Sequence, residues 1–319
     1  MIAFLLPAKT TFIFSFLISH FSFLIPHFLN LSFTHILYAC SKLWKNRRET
    51  MQLKSEKDFI VSIPKERRIW VIGAIYGDSA RLGALHENIL SLYKKGDVIV
   101  YLGNFMGYGP DVGGVLDEVF CFKKILIDKM GSNPEDIIYL RGQQEEMWKK
   151  LLTLQFAHRP ENIYPWMIEH GIGASISTYG VSPDEGYAAM RRGSVGISRW
   201  TAELRNLQND SHGHTEVLNS LKHAAITNDG RLLFVSFSID PSVPLASQGD
   251  VFWWGSSVPI TPDRPYEKFS LVVRGESNPA NYGVHNYPYY LHINSAGGRG
   301  GPLYAVVLED EVPTKVIEL

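Results

Sequence analysis

Three short apolar runs, with helical patterns between them, constrain the fold of this chain more than any other feature. The runs are RIWVIG (68–73), DVIVYLG (97–103) and DIIYLRG (136–142). Apolar residues recur at three- and four-residue steps from Leu82 to Leu92, and Asp78 precedes them as a helix N-cap. Residues 111–130 predict a second helix. Alternating strands and helices of this kind predict a largely parallel sheet.

The second half of the chain returns to strands after a different kind of segment. Residues 155–215 are rich in aromatic residues and glycine, and they predict a helical cap or insertion. Asn228, Asp229 and Gly230 lie between two apolar runs, a strong signal for a β-hairpin. FSLVVRG (269–275) and PLYAVVLED (302–310) predict further strands. The whole pattern belongs to the α/β class.

Composition excludes several classes of function. The chain has 319 residues, 45% of them hydrophobic and 20% charged, with a net charge of -1, which suits a globular protein and predicts no nucleic-acid partner. Cys40 and Cys121 are its two cysteines, so we expect a reducing compartment, the cytoplasm, rather than a disulfide framework.

The N-terminal 50 residues permit two interpretations. The segment from Thr10 to Ser41 has no Asp, Glu, Lys or Arg and is long enough to be a membrane anchor. The basic residues that follow it would keep the rest of the chain in the cytoplasm. Alternatively, translation starts at Met51, residues 51–66 form a polar leader, and a membrane has no part. Either interpretation leaves one domain over residues 67–319.

Five loops follow the predicted strands and carry the polar and glycine residues of a site. They are GAIYGD (73–78), GNFMGYGPD (103–111), RGQQEE (141–146), FVSFSIDPSVPL (234–245) and VVRGESNP (272–279). In order and spacing the chain resembles the calcineurin-like metallophosphoesterases, in particular the bacterial branch related to Ser/Thr protein phosphatases. The resemblance extends over roughly residues 68–308 and implies a four-layer α/β/β/α sandwich, two mixed sheets packed together with helices outside.

The first two loops lack the side chains that the resemblance implies. The family motif Gly-Asp-x-His-Gly supplies an Asp and a His to a two-metal centre, and here those positions are Ala74 and Tyr76. The next motif, Gly-Asp-x-x-Asp-Arg-Gly, supplies a carboxylate that bridges the metals and an Arg for phosphate. Asn104 replaces the bridging Asp, Gly107 the second Asp and Tyr108 the Arg.

The remaining three motifs are substituted in the same way. Gly-Asn-His-Glu of the family has Gln143 and Gln144 in place of its Asn and His. Ser236 stands where the family has a His after a strand, and the family's final His-Gly-His-Thr begins here with Arg274 and has Glu276 as its third residue. Glu145 is unchanged, and we expect it to support the geometry of neighbouring loops.

These residue types disfavour the binding of two metal ions. Two divalent cations need several anionic or imidazole ligands; Ala has no donor, and Asn or Gln keeps an oxygen without a charge. We therefore expect no cofactor and no intact catalytic residue. The alternative is an active phosphoester hydrolase with an altered Mn, Fe or Zn site, for which Asn104 and Glu276 are the weak candidate ligands.

A charged cleft could survive the loss of the metals. Arginine suits phosphate oxygens, so the expected function is that of a catalytically inactive, phosphatase-like pseudoenzyme that binds a phosphorylated ligand or a protein partner. A membrane-tethered interaction protein is the third possibility. The candidate ligand-binding residues are Arg141, Arg274, Glu276, Tyr76, Tyr108 and Arg299.

Two groups of histidines have simpler explanations than ligand binding. His212 and His214 lie beside Asp210 and Ser211, which predicts a polar loop leading into a helix. The spacing of His86 from its apolar neighbours predicts a solvated side chain.

Overall fold

The computed structural model describes residues 59–64, 67–256, 260 and 263–319. Within these residues every helix is too short or too polar to span a bilayer. The apolar segment 10–41, for which an anchor and an untranslated stretch are both open, lies outside the described residues, as does most of the expected polar leader.

The strands and helices alternate through the first third of the described chain and are grouped after it. The strands are β1 Ile60–Ile63, β2 Ile69–Ile72, β3 Val98–Tyr101, β4 Ile137–Tyr139, β5 Ala224–Thr227, β6 Leu232–Val235, β7 Leu271–Glu276, β8 Gly283–Asn286, β9 Tyr290–Asn294, β10 Tyr304–Glu309 and β11 Val312–Glu318. The α-helices are α1 Ser79–Leu92, α2 Val112–Met130, α3 Gln143–Leu151, α4 Pro160–Glu169, α5 Ile172–Ser177, α6 Pro183–Arg191, α7 Gly193–Asp210, α8 His214–Asn219 and α9 Val251–Trp254.

Two mixed sheets form the centre of the molecule. One has the strand order β1-β5-β6-β7-β9-β8 and the other β11-β10-β2-β3-β4. Strands β2, β3 and β4 are parallel, and β10 runs antiparallel to β2. In the larger sheet β6, β7 and β9 are parallel to one another, and β1 is parallel to β5, while β5 runs antiparallel to β6 and β8 runs antiparallel to β9. The predicted class, two mixed sheets flanked by helices, is confirmed.

Side chains at alternate positions of the strands point to opposite faces of the sheets and so belong to three different hydrophobic cores. Val71 of the smaller sheet and Phe234 of the larger sheet are buried in the core between the sheets. Trp70, on the other face of β2, packs in the core beneath α1 and α2. Val272 packs with Phe252 of α9 on the outer face of the larger sheet. The outer layer there is thin, because α9 has four residues.

Aspartate side chains cap the first two helices, at the predicted position in α1 and at Asp111 before α2. The Asp78 carboxylate accepts the Arg81 N–H at 3.0 Å, and the Asp111 carboxylate accepts the Gly114 N–H at 2.9 Å. These side chains satisfy N–H groups that have no partner within the first turn. The β5–β6 hairpin encloses the Asn228–Gly230 turn, as predicted.

Three features correct the sequence interpretation. The domain does not begin at residue 67, because Ile60–Ile63, inside the expected leader 51–66, forms β1 and pairs with β5. Strands β8, β9 and β11 were not predicted. His86 is buried rather than solvated: it stacks on Phe122 at 3.7 Å and bonds Glu118 and Tyr101.

The cap region is almost wholly helical. Helices α4 to α8 cover most of residues 160–219, and Tyr164, Ile176 and Leu204 join the core that also packs on α2. His214 begins α8, so the helix predicted to follow the polar segment at residues 210–214 is confirmed. Its Nδ1 forms a hydrogen bond of 3.1 Å with the Tyr179 hydroxyl.

Candidate functional site

Loops that follow the parallel strands of both sheets meet around a cleft of about 380 Å³. Five of the candidate positions line it: Tyr76, Asn104, Gln143, Glu276 and Arg299. The rest of its lining consists of Phe237, Trp253, Trp254, Ser277 and Asn278. The structure therefore brings residues from distant parts of the sequence into one concave surface.

The first loop supplies an apolar cluster instead of ligands. Ala74 and Tyr76, at the two positions where the family resemblance implies metal ligands, are both buried, at 4% and 2% exposure. They pack with Ala296, and against this group lie Tyr108 and Tyr282. The Tyr76 hydroxyl forms a hydrogen bond of 2.8 Å with the Ser277 hydroxyl. Burial raises the pKa of Tyr76, so the phenol stays neutral.

Arg299 lies over the two tyrosines at the rim of the cleft. Its guanidinium carbon is 4.3 Å from the ring centre of Tyr108 and 5.3 Å from that of Tyr76. The two rings meet edge to face at 5.5 Å. Arg299 itself is exposed, and none of the described carboxylates forms an ion pair with it. The rings thus hold a cation that is available to an anionic ligand.

Asn104 joins three loops through its backbone and side chain. Its carbonyl oxygen accepts the N–H groups of Ile75 and Tyr76 at 3.1 and 2.8 Å. Its side-chain oxygen accepts the Gln144 N–H at the start of α3 at 3.1 Å. The oxygen that could ligate a metal is therefore already bonded.

Glu145 holds the same loops together from beneath. Its carboxylate accepts the N–H groups of Asn104, Phe105 and Gly142 at 2.8 Å each, and that of Met106 at 3.1 Å. Burial raises the pKa of Glu145, and backbone N–H groups, among them those of Met106, Asn104 and Gly142, oppose that shift by stabilising the ionised form. The structural role expected of Glu145 is confirmed.

Gln144 fills the space where the second loop would otherwise carry a side chain. Its Nε2 donates to the His170 carbonyl in the cap at 2.9 Å. A Cβ atom at Gly107 would lie 2.1 Å from the Gln144 Oε1, and Gly107 has a φ of 79°. Glycine is required there for both reasons.

Two of the candidate arginines do not line the cleft. Arg141 pairs with Glu146 at 3.3 Å, and Arg274 is buried with its Nε donating to the Phe237 carbonyl at 2.5 Å. Burial lowers the pKa of Arg274. Ser236 is also buried, and its hydroxyl has no partner among the described residues.

Glu276 is the carboxylate of the cleft lining. Its Oε2 lies 3.9 Å from the Nδ1 of His292 on the adjacent strand β9. Burial, with Arg274 and His285 contributing, lowers the pKa of His292 to about 3, so this imidazole is neutral at neutral pH. The Glu276 charge therefore has no charged histidine beside it.

Three of the candidate positions have an unusual backbone conformation. Tyr76, Asn104 and Tyr108 have φ angles of 53°, 56° and 56°, in the left-handed region that favours glycine. Such a conformation costs roughly 1–2 kcal/mol per residue for a side chain with a Cβ. Strain of this kind marks loops whose shape is imposed by their surroundings.

The residues present do not fit a two-metal centre. Ala74 offers no donor, the Asn104 oxygen is bonded and Gln144 turns toward the cap. No cluster of three or more His, Cys, Asp or Glu side chains suited to a metal occurs in the described part of the chain. Glu276 alone supplies negative charge to the cleft lining, and one carboxylate cannot hold two divalent cations.

The aromatic wall of the cleft was missed in the sequence. Phe237 follows β6, and Trp253 and Trp254 belong to α9. Trp254 lies 5.8 Å from Trp166 of the cap. The signal was the tryptophan pair in GDVFWWG (249–255), but an aromatic pair in sequence does not reveal which cleft it faces.

Neither a protein-family model nor a curated protein matches the sequence. Solved structures do resemble this one. A protein serine/threonine phosphatase from Saccharomyces cerevisiae is 13% identical, covering 83% of this chain and 86% of its own, with a TM-score of 0.44. A metallophosphoesterase from Sphaerobacter thermophilus is 17% identical, covering 79% and 88%, with a TM-score of 0.39.

A cold-active protein-tyrosine phosphatase from Shewanella is also similar. It is 11% identical, covering 82% of each chain, with a TM-score of 0.46. The fold of this chain rests on its own strand order and layers, since all three scores lie below 0.5.

Proposed function

We propose that this protein is a phosphatase-like pseudoenzyme that binds a phosphorylated ligand in the cleft and does not hydrolyse it. The observation that carries the proposal is the combination of Arg299, a cation without a carboxylate partner among the described residues, with Ala74 and Tyr76 at positions that would have to ligate metals. Arginine recognises phosphate through its planar fork of donors.

The chemistry of the cleft supports binding over turnover. Hydrolysis of a phosphoester needs an activated water and groups that stabilise the transferred charge. Tyr76 is a neutral, buried phenol, and Asn104 and Gln144 are amides engaged in structural hydrogen bonds. None of these three groups can act as a general base at neutral pH.

A cytoplasmic location is part of the proposal. Cys121 is a free thiol on the surface of α2, and exposed free thiols suit a reducing compartment. The proposed ligand is either a phosphorylated small molecule or a phosphorylated protein. In the second case, that phosphorylated protein is the binding partner.

Binding is tested by titration of the full-length protein with inorganic phosphate in the presence of EDTA, followed by phosphorus NMR. Arg299→Ala should weaken binding at least about tenfold, because hydrogen bonds to charged groups contribute about 1.5–3 kcal/mol. Arg191→Ala is the matched control, since Arg191 is an exposed arginine at the end of α6 and lies outside the cleft lining. Equal binding by wild type and Arg299→Ala would remove the proposed site.

Inactivity is tested separately. After incubation with Mn²⁺, Fe²⁺ and Zn²⁺ and removal of excess metal, mass spectrometry should find less than about a tenth of a metal per chain. Release of p-nitrophenol from p-nitrophenyl phosphate should equal the rate without protein. Close to two metals per chain together with hydrolysis would instead establish an active hydrolase with an altered metal site.

A further inference from the structure

We infer, on the basis of the proposed function, that the ligand of the cleft carries a planar heteroaromatic ring as well as a phosphate, as a mononucleotide does. Three features of the cleft lead to this ligand class: an aromatic wall, side-chain amides with free hydrogen-bonding capacity, and the cation at the rim. The cleft volume of about 380 Å³ lies within the roughly 300–1,000 Å³ of small-molecule sites.

Two of the three rings of the aromatic wall are accessible to a ligand. Phe237 and Trp254 are partly exposed, whereas Trp253 is 4% exposed and lies behind them in the cleft lining. Trp166, 41% exposed, extends the same aromatic surface from the cap through its contact with Trp254. Rings of this size stack on planar ligands, and nucleobases stack on them without regard to base identity.

Cations already lie against two rings of the wall. The guanidinium carbon of Arg274 is 5.3 Å from the Phe237 ring centre, and that of Arg141 is 5.7 Å from the ring centre of Trp253. A second cation over the same rings would be repelled by the first. The wall is therefore unsuited to a quaternary ammonium ligand, which uses aromatic rings as its anionic surface, and it favours a neutral ring that carries a negative group elsewhere.

Two amide side chains offer hydrogen bonds to the edge of such a ring. The side-chain amide of Gln143 has no hydrogen-bond partner among the described residues, and the Nδ2 of Asn104 likewise has none there, although its Oδ1 is occupied. Asn and Gln amides recognise the mixed donor and acceptor edges of nucleobases. The ring of a phosphotyrosine has no polar edge atoms, so these amides favour a base.

The phosphate of the ligand is assigned to Arg299. Arg299 and the wall residues line the same cleft but come from different loops, one after β9 and the others after β6 and in α9. A ligand with its charge at one end and its ring at the other satisfies both. Inorganic phosphate would use Arg299 alone.

The test compares AMP, GMP, CMP and UMP with ribose 5-phosphate, which has the sugar and phosphate but lacks a base. Binding to the full-length protein is followed by calorimetry and by quenching of tryptophan fluorescence. At least one nucleotide should bind about tenfold or more tighter than ribose 5-phosphate, the gain expected from stacking. Trp254→Ala should remove that gain and leave ribose 5-phosphate binding unchanged, whereas Trp254→Phe should restore part of it.

Phe156→Ala is the control for loss of an aromatic side chain, because Phe156 is 82% exposed and is not part of the cleft lining. If Trp254→Ala fails to fold, the wild-type comparison still decides. Ribose 5-phosphate binding as tightly as every nucleotide would overturn the inference and leave the proposed phosphate site standing. Phosphotyrosine binding as tightly as the best nucleotide would also overturn it. Binding of none of the phosphorylated compounds would refute the proposed function itself.

Discussion

Replacing Glu145 with glutamine should destabilise the domain far more than a single carboxylate usually does. Each carboxylate oxygen accepts two backbone N–H groups, Oε1 from Phe105 and Met106 and Oε2 from Asn104 and Gly142. A glutamine side chain has one oxygen, and its NH₂ must face the other two donors. Two buried N–H groups then lose their partners, at about 1–3 kcal/mol each.

The expected loss is therefore roughly 2–6 kcal/mol, a large part of the 5–15 kcal/mol typical of a domain. Urea denaturation measures it, and the melting temperature should fall by roughly 2–4 °C per kcal/mol. Glu161→Gln, an exposed carboxylate in the first turn of α4, should change stability by less than about 0.5 kcal/mol.

Hydrogen exchange separates this mechanism from a general loss of packing. One of the two pairs of amides, Asn104 with Gly142 or Phe105 with Met106, should lose protection by a larger factor than amides of β3 and β4, because only these four amides bond the altered side chain. A loss of stability below about 1 kcal/mol, with unchanged protection at all four amides, would refute the reasoning.

Three further outcomes follow from individual contacts. Burial, with neighbouring basic side chains, lowers the pKa of His223 to about 4 from 6.5, so the unfolded chain takes up the proton first and stability is lost as the pH falls through this window, by on the order of 1–2 kcal/mol once solvent screening of this partly exposed ring is allowed for. His223→Phe should reduce the difference between the stabilities measured by urea denaturation at pH 7 and at pH 4.5, and an unchanged difference would contradict the assignment. Gly107→Ala should lower the free energy of unfolding by about 2–4 kcal/mol, because the new methyl group would clash with the Gln144 side chain. In a double-mutant cycle, Gln144→Ala should recover the steric part of that loss, and simple additivity of the two changes would contradict the clash. Tyr76→Phe should cost only about 0.5–1.5 kcal/mol in thermal unfolding, since one hydroxyl bond to Ser277 is lost, and a cost above about 3 kcal/mol would be inconsistent with that single role.

Regular elements were predictable wherever the pattern was long or the cap was specific. Buried runs of β-branched residues predicted β2, β3 and β4, the Asp78 cap marked the start of α1, and the predicted helix 111–130 agrees with α2 to within one residue. The four residues of β1, by contrast, are too few to show a period, and they pair with a strand that lies some 160 residues later in the chain.

The prediction of a solvated His86 is wrong because the residue lies on the buried face of its helix. Leu82, His86 and Ile89 follow the same three- and four-residue spacing and share the buried face of α1. Histidine can be buried when both ring nitrogens find partners, which Glu118 and Tyr101 supply. Polarity of the residue type is a weaker guide than its position on the helix.

The candidate site was predictable in its position but not in its chemistry. Strand order placed the loops of Tyr76, Asn104 and Glu276 at one end of the sheets, as expected for carboxyl ends of parallel strands. That Arg274 turns back to the Phe237 carbonyl, while Arg299 stays exposed, depends on packing between distant segments. Sequence spacing carries no information about such choices.

The loops of this cleft are shaped by hydrogen bonds to their backbone N–H groups rather than by side chains that could ligate a metal. Glu145 bonds four N–H groups, the Asn104 carbonyl bonds two more, and glycine at position 107 leaves room for Gln144. None of these contacts requires a charged or imidazole side chain at the substituted positions. The shape of these loops therefore does not depend on Asp or His at positions 74 and 76, whereas it does depend on Glu145 and Gly107. Arg299 and Trp254 line the cleft and form none of these contacts, so they can contact a ligand without disturbing the loops.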